Sequence, residues 1–275
     1  MIQDKETNKI YFSDWLRQDR KLEMDAIIEI LQKHNVDFGF LDDTEDWWCR
    51  DYMPIQVAKD KFVQYCYFPD YLNNDKDRGY ITNPDKTLAR IGINTIKTDL
   101  VIDGGNVVKC DDKVVMTEKV FNENPSKSHE EIETELKRLF DCEIVFLPWD
   151  KYEKHGHSDG IVRWIGDGKV LLTAYEEDPL MQARFETILS LHFEVKKLKF
   201  TRPRHSKKNT WSYINFLQTN KIIIIPALGT PEDAEALEQF KGFFPDYKGR
   251  IEQVKMKRVI SKGGALNCVS WNIRV

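Results

Sequence analysis

Residues 155 to 159, His-Gly-His-Ser-Asp, set two imidazoles and a carboxylate on alternate positions just ahead of Ile161, Val162 and Trp164. In an extended backbone His155, His157 and Asp159 share one face, because strand side chains alternate with a period of two. Such a set can bind a metal, join a general base to an acid that grips a cationic substrate, or form the polar surface of a loop. Elsewhere Cys268 follows Gly263-Gly264, Arg50-Asp51 stands between Trp48 and Pro54, and Asp103 opens Asp-Gly-Gly-Asn. Each piece alone has a plain structural explanation: an Arg-Asp pair beside a core tryptophan, a tight turn that needs glycine, a small buried cysteine, a hydrogen-bonded loop histidine. Together, a cysteine, a histidine, an acid beside each and glycines that open the backbone are the parts of a thiol-nucleophile enzyme. The additional carboxylates imply a cationic substrate.

The metal alternative meets a specific obstacle. His155-x-His157-x-Asp159 resembles the start of the HxHxDH motif of metallo-β-lactamase-like hydrolases, but Gly160 stands where that motif needs a histidine. His34, His129, His192 and His205 sit in expected helices or a basic loop with no partner motif.

The elements that must position these groups recur. A helix over Arg20 to Asn35 precedes a strand at Val36 to Leu41. Apolar runs at 52–57 and 61–68, a helical piece after Pro84 and a strand near Ile93 to Ile102 follow. The order then repeats: strands at 106–110 and 114–117, a capped helix from Ser128 to Phe140 and a strand at 143–148; strands at 161–165 and 170–175, a helix over Met181 to Leu191 and a strand at 193–200. A last round has strands at 211–217 and 221–228, a helix from Pro231 to Phe240, a strand near Ile251 to Val259 and a terminal strand segment that holds Cys268. Strand, strand, helix, strand at intervals of about fifty residues predicts blades around an axis, as a mixed α/β ring. The polar motifs fall after the last strand of successive units, where pseudo-rotation would gather them at one centre. No Pro/Gly/Ser-rich linker divides the 275 residues, so one domain over 1–275 is expected.

Composition sets bounds. The chain is 41% hydrophobic and 31% charged, with a formal net charge of -4, which offers no electrostatic footprint for nucleic acid or an anionic membrane. Lys196 to Lys208 is locally basic and reads as a solvated loop. The N-terminus lacks an apolar signal core and no run is long enough to span a bilayer, so a cytoplasmic protein is expected. Five cysteines without a CxxC pair argue against a disulfide framework. Cys66, Cys110 and Cys142 lie in or beside apolar runs that suggest burial.

Trp48-x-Arg50-Asp51-x-x-Pro54, Gly104-Gly105-Asn106, Gly156-His157-x-Asp159 and Gly263-Gly264 leading to Cys268 resemble, in order and spacing, the agmatine deiminase and Porphyromonas-type peptidyl-arginine deiminase family. The likeness runs from about residue 42 to 275. It implies a pentein fold, five αβ modules around a pseudo-fivefold axis, and a deiminase that converts a guanidino compound to its ureido product and ammonia. It also implies Cys268 as nucleophile, His157 as acid/base, Asp103 orienting His157 or polarising the substrate, and Asp51 and Asp159 clamping the guanidinium. Trp48, Trp47 or Trp211 would face an amine tail, and Arg163 or Arg204 an amino-acid tail. No metal or organic cofactor is implied. The partner is a small guanidino molecule, and a homo-oligomer is possible. Amidino transfer and a non-catalytic binding scaffold remain alternatives. Three departures bear on the substrate: Asp103 stands where the family usually has Glu, Asn267 where agmatine deiminases commonly have His, and the opening segment is abbreviated.

Overall fold

Local signals in the chain set the repeating unit. The computed structural model describes residues 1–175, 178–201 and 207–275. Strand β1 (Lys9–Ser13), helices α1 (Asp14–Asp19) and α2 (Lys21–Lys33) and strand β2 (Asp37–Leu41) come first. A one-turn helix α3 (Cys49–Tyr52) leads to β3 (Ile55–Ala58), β4 (Lys61–Cys66), α4 (Pro84–Ile91) and β5 (Ile96–Val101). The third unit is β6 (Val108–Cys110), β7 (Lys113–Thr117), α5 (Lys119–Glu123), α6 (His129–Phe140) and β8 (Glu143–Leu147). The fourth is β9 (Val162–Gly166), β10 (Lys169–Leu172), α7 (Pro179–Ser190) and β11 (Glu194–Lys197). The fifth is β12 (Leu217–Gln218), β13 (Ile223–Ala227), α8 (Glu232–Phe243) and β14 (Ile251–Lys255), followed by α9 (Lys257–Ile260) and β15 (Trp271–Ile273).

Among the described residues the strands form five three-stranded open sheets, ordered β15-β1-β2, β3-β4-β5, β6-β7-β8, β9-β10-β11 and β12-β13-β14. In each, the middle strand pairs antiparallel on one side and parallel on the other. The parallel pair requires a crossover, which the helices supply. The hairpin between β9 and β10 turns on Asp167 (φ 51°) and Gly168 (φ 71°), the left-handed pair that a tight two-residue turn demands. Asn83 caps α4 by accepting from the Asp85 amide, Pro84 supplies the first helical position, and Gly92 (φ 71°) ends the helix. Ser128 and Glu131 form a reciprocal capping box on α6. That helix then buries Ile132, Leu136, Leu139 and Phe140, each contributing about 1.5–3 kcal/mol of apolar transfer.

The five-module α/β ring agrees with the sequence-based expectation, with four differences. The strand expected at 211–217 is a 3-10 helix over Lys207–Ile214, and only Leu217 of that run reaches β12. The predicted pattern lacks β1, whose partner β15 comes from the opposite end of the chain: Tyr11 registers with Trp271, so the termini share a sheet and close the ring. The strand expected over Ile251 to Val259 breaks into β14 and α9. Cys268 lies in a turn ahead of β15, not in a strand. Of the basic run, Lys196 and Lys197 belong to β11, while 202–206, including Arg204 and His205, lie outside the described residues. No helix among the described residues is long and apolar enough to cross a membrane.

Candidate active site

Short turns at the ends of strands and helices carry the predicted residues, and glycines let those turns meet. Asp51 sits in α3; Tyr65 Oη donates to the Asp51 carbonyl at 2.6 Å, fixing the turn from the neighbouring strand. The backbone amide of Arg50 donates to the Cys268 carbonyl at 3.1 Å, and Arg50 Nε donates to the Asn267 carbonyl at 3.3 Å. Arg50 therefore braces the cysteine turn. Asn106 Oδ1 accepts from the amides of Thr117 (2.8 Å) and Ser158 (3.3 Å), stitching the Asp-Gly-Gly-Asn turn to the His157 segment.

At the centre, His157 Nε2 is 2.8 Å from Asp103 Oδ2 and His157 Nδ1 is 3.6 Å from Asp51 Oδ1. Asp51 Oδ1 also accepts the Gly105 amide at 3.0 Å. Cys268 Sγ lies 3.6 Å from Asp159 Oδ2, which also accepts Asn215 Nδ2 at 3.0 Å and Asn267 Nδ2 at 2.7 Å. The Asn215 side-chain oxygen accepts the amides of Ala265 and Cys268, so one asparagine aligns both the carboxylate and the cysteine turn. All five of Asp51, Asp103, His157, Asp159 and Cys268 are buried.

The cavity has two lobes. Thr117, Glu153, Asp159, Tyr175 and Trp211 help line one of about 550 Å³; Asp46, Trp47, Trp48, Asp51 and Tyr71 help line the other, of about 360 Å³. His155, His157, Gly263 and Cys268 belong to both. Trp48 packs against Gly264 so closely that a Cβ there would lie 2.3 Å from the ring. His155 meets the Tyr71 ring edge-on at 4.9 Å and Glu153 at 3.4 Å, a supporting neighbour. Arg163 is directed elsewhere: its guanidinium donates to the Phe216 carbonyl (2.8 Å) and Asp4 Oδ2 (2.7 Å) and opens on a recess of about 20 Å³, lining neither lobe. Alternation along β9 does not reveal this, because Val162 and Arg163 are both buried.

Packing several charges in a buried centre moves their proton affinities. Burial, then the charges of Asp103 and Asp159, push Asp51 up to about 7 against the pull of His157. His157 loses affinity through burial but regains more from Asp51 and from Asp103, and rises to about 9. Burial would raise Asp103, yet the His157 hydrogen bond and the charges of His157 and Lys119 hold it below the usual range. Burial and the negative charges of Asp159 and Asp51 drive the Cys268 thiol well above its ordinary value. Both His157 nitrogens face carboxylates, and among the described residues no group of His, Cys, Asp and Glu converges in a metal-binding arrangement.

Gly105 lies directly against two of these charged groups. A Cβ there would lie 2.6 Å from His157 Nδ1 and 2.7 Å from Asp51 Oδ1. Gly105→Ala is expected to leave the circular dichroism spectrum unchanged and lower turnover about a hundredfold, since displacing reacting groups by roughly 1 Å has that cost. Wild-type turnover in this variant would show that the contact is not used.

Several residues of the site are not named as candidates from the sequence, although the stretch that holds Asn215 resembles the family. Asn215 lies in Ser-Tyr-Ile-Asn-Phe-Leu, which reads as a strand. Lys119 and Glu123, spaced i, i+4 on α5, are not singled out; their side chains are buried beside Asp103. Tyr65 reads as one more aromatic of an apolar strand.

Comparison with known proteins places this geometry. The family model for Porphyromonas-type peptidyl-arginine deiminase matches residues 4–273. The chain is 27% identical over 225 residues to an agmatine deiminase of Ectopseudomonas mendocina, covering 67% of this chain and 60% of that one. The structure of C. jejuni agmatine deiminase superimposes with a TM-score of 0.81 at 18% identity, covering 100% of this chain and 95% of that one. DDAH from Pseudomonas aeruginosa, complexed with citrulline, superimposes with a TM-score of 0.63 at 13% identity, covering 98% of this chain and 100% of that one. At those identities the structural likenesses establish the fold, the five-module α/β propeller of the penteins.

Proposed function

Since the chain belongs to the Porphyromonas-type peptidyl-arginine deiminase family, a hydrolase of the C–N bonds of linear amidines, we propose that it converts agmatine or an arginine derivative to the ureido product and ammonia through a thiouronium on Cys268. We propose further that residues 1–275 act as one guanidine-modifying domain. The observation that carries the proposal is the convergence of Cys268 Sγ, the Asp159 and Asp51 carboxylates and His157 on one cavity.

A guanidinium is a planar, permanently charged fork of N–H donors, so carboxylates on its edges hold it. Asp51 and Asp159 take that role. Burial and the charges of Asp159 and Asp51 hold the Cys268 thiol protonated; the entering cation offsets those charges and favours the thiolate, and the thiol proton passes to solvent. The thiolate then attacks the central carbon. His157 Nε2 is committed to Asp103, which leaves Nδ1 to exchange protons. Nδ1–H protonates the departing nitrogen, ammonia leaves, and the neutral imidazole takes a proton from water as that water attacks the thiouronium. Collapse of the neutral adduct expels the Cys268 sulfur, the hydroxyl proton passes to it and restores the thiol, and the ureido product is left. Trp48 in one lobe and Trp211 in the other offer faces to the tail of the substrate.

The test is an ammonia-release assay over agmatine, free arginine, arginine peptides and other guanidino compounds, without added metal. One or more should be hydrolysed. Amidino transfer to an added amine without ammonia release would make the chain an amidinotransferase, and silence across the panel with the fold intact would make it a binding scaffold. The pH profile supplies a second check. Asp51 must be ionised to clamp the cation and His157 must be protonated to release ammonia. Hence kcat/KM should rise with pH through about 7 and fall through about 9. An activity maximum well below pH 6 would contradict these assignments.

A further inference from the structure

Lys119 lines neither lobe of the cavity and is fully buried. Its Nζ lies 3.0 Å from Asp103 Oδ2, the oxygen that His157 Nε2 meets at 2.8 Å. It also lies 2.8 Å from Glu123 Oε1, one turn along α5, and 3.2 Å from the more exposed Asp70. One carboxylate oxygen thus accepts two cationic donors, while Asp103 Oδ1 is buried without a hydrogen-bond partner. Burying an ammonium is costly unless it is fully paired, and an apolar side chain of the same length would fill the space without that cost. The groove over the ammonium is shaped for it: the Tyr71 ring lies 4.8 Å from Nζ, and a Cβ on Gly156 would lie 3.0 Å from Lys119 Cδ.

We propose that Lys119 and Glu123 are positioning residues for the deiminase reaction: Lys119 holds Asp103 ionised and aimed at His157, and the pair sets the pH at which His157 exchanges its proton. This rests on the roles proposed above for His157 and Cys268. The groups that face His157 are Asp103 and Asp51 at the two ring nitrogens, the rings of Tyr71 (6.2 Å) and His155 (5.9 Å), Glu153 and Lys154 on its own segment, and Asp159 and Cys268 across the cavity. Asp51 and Asp103 favour the imidazolium and Lys119 opposes it. Burial and the Asp103 charge push Glu123 up to about 8 against the pull of Lys119 and His157, so near the His157 midpoint of about 9 it is ionised and favours the same imidazolium while pairing the lysine. The two members of the pair therefore act on His157 with opposite sign.

Opposite signs make the proposal testable in a way that a merely structural role is not. The His157 imidazole is followed by NMR titration in the full chain, and kcat/KM is measured against pH with whichever guanidino compound the unaltered protein hydrolyses. Lys119→Met should move the His157 midpoint and the alkaline limb upward, and Glu123→Gln should move both downward, each by about one pH unit. In Lys119→Met, kcat should fall about tenfold or more with KM little changed, because proton transfer is affected and substrate binding is not. Lys119→Arg, which keeps the charge, should return the midpoint toward that of the unaltered protein. Shifts of the same sign in both variants, or activity losses without any shift, would overturn the proposal. If Lys119→Met does not fold, Glu123→Gln decides alone: a downward shift supports the pair and an unmoved midpoint overturns it. If no guanidino compound is hydrolysed, the deiminase reading fails, and the NMR titration still tests the charge coupling.

Discussion

Cys268→Ser is expected to keep the fold, retain binding of the guanidino substrate by calorimetry, and lose turnover about a thousandfold or more, equivalent to ~4 kcal/mol of transition-state stabilisation. A hydroxyl is far harder to deprotonate than a thiol, and here even the thiol depends on the entering cation to offset Asp159 and Asp51. The side chains are nearly isosteric, and the turn is held by groups other than the sulfur: the Cys268 amide bonds Asn215 and its carbonyl bonds the Arg50 amide. Alkylation separates this thiol from the other four. A haloacetamidine carries a guanidinium-like head beside an alkylating carbon, so it should label Cys268 first, with substrate protecting. Cys49, also beside the site, should not compete, because it is fully buried and donates to the Val269 carbonyl at 3.1 Å. Cys66 is the thiol that an uncharged alkylating reagent should find, since it is exposed at the end of β4. Label on Cys49, or full activity in the serine variant, would remove the covalent mechanism while leaving the fold untouched.

That exposure of Cys66 shows where sequence reading stops. The run Lys61 to Tyr67 is apolar enough to suggest burial throughout, and four consecutive residues of β4 are indeed buried, but the strand ends at Cys66 with its side chain in solvent. Local patterns carry what local physics decides: the Asp167-Gly168 turn, the Ser128/Glu131 capping box and the recurrent strand, strand, helix, strand order are legible because each depends on neighbours in the chain. The spacing of Asp51, Asp103, His157, Asp159 and Cys268 was legible for the same reason, as separate motifs. Their convergence depends on ring closure, and that rests on β1, three of whose five residues pair with a strand at the opposite end of the chain and which gives little periodic signal alone. Cys268 reads as part of a terminal strand because it follows Gly263-Gly264 in a largely apolar run; in the structure residues 264 to 273 are all buried, so no alternation of period two marks where the turn ends. Lys119 makes the same point with a charge. On its own helix, Lys119 and Glu123 have the spacing of a solvated ion pair; only the packing of α5 beside the Asp103 turn makes them part of a buried network.

Asp159→Asn and Asp51→Asn should each lower kcat/KM about a hundredfold or more, a loss of roughly 3 kcal/mol, because each leaves a desolvated cation short of a charge partner. The two variants should nevertheless differ in their pH profiles. Asp159 Oδ2 is held by two amide donors, Asn215 Nδ2 and Asn267 Nδ2. An asparagine at 159 must turn its oxygen to those donors, so its own NH2 faces the substrate N–H groups and repels them. Its effect should fall on substrate affinity and on thiol activation, with the alkaline limb little moved, since Asp103 and Asp51 remain against His157. At Asp51 the lost charge is one of the two that raise His157 to about 9, so the alkaline limb should shift downward in Asp51→Asn as the imidazolium becomes easier to deprotonate. The acid limb near 7 should vanish in the same variant, because the group assigned to it no longer titrates. Near wild-type kinetics in either variant would show that its carboxylate does not clamp the guanidinium, and an unmoved profile in Asp51→Asn would show that this carboxylate does not govern the charge of His157.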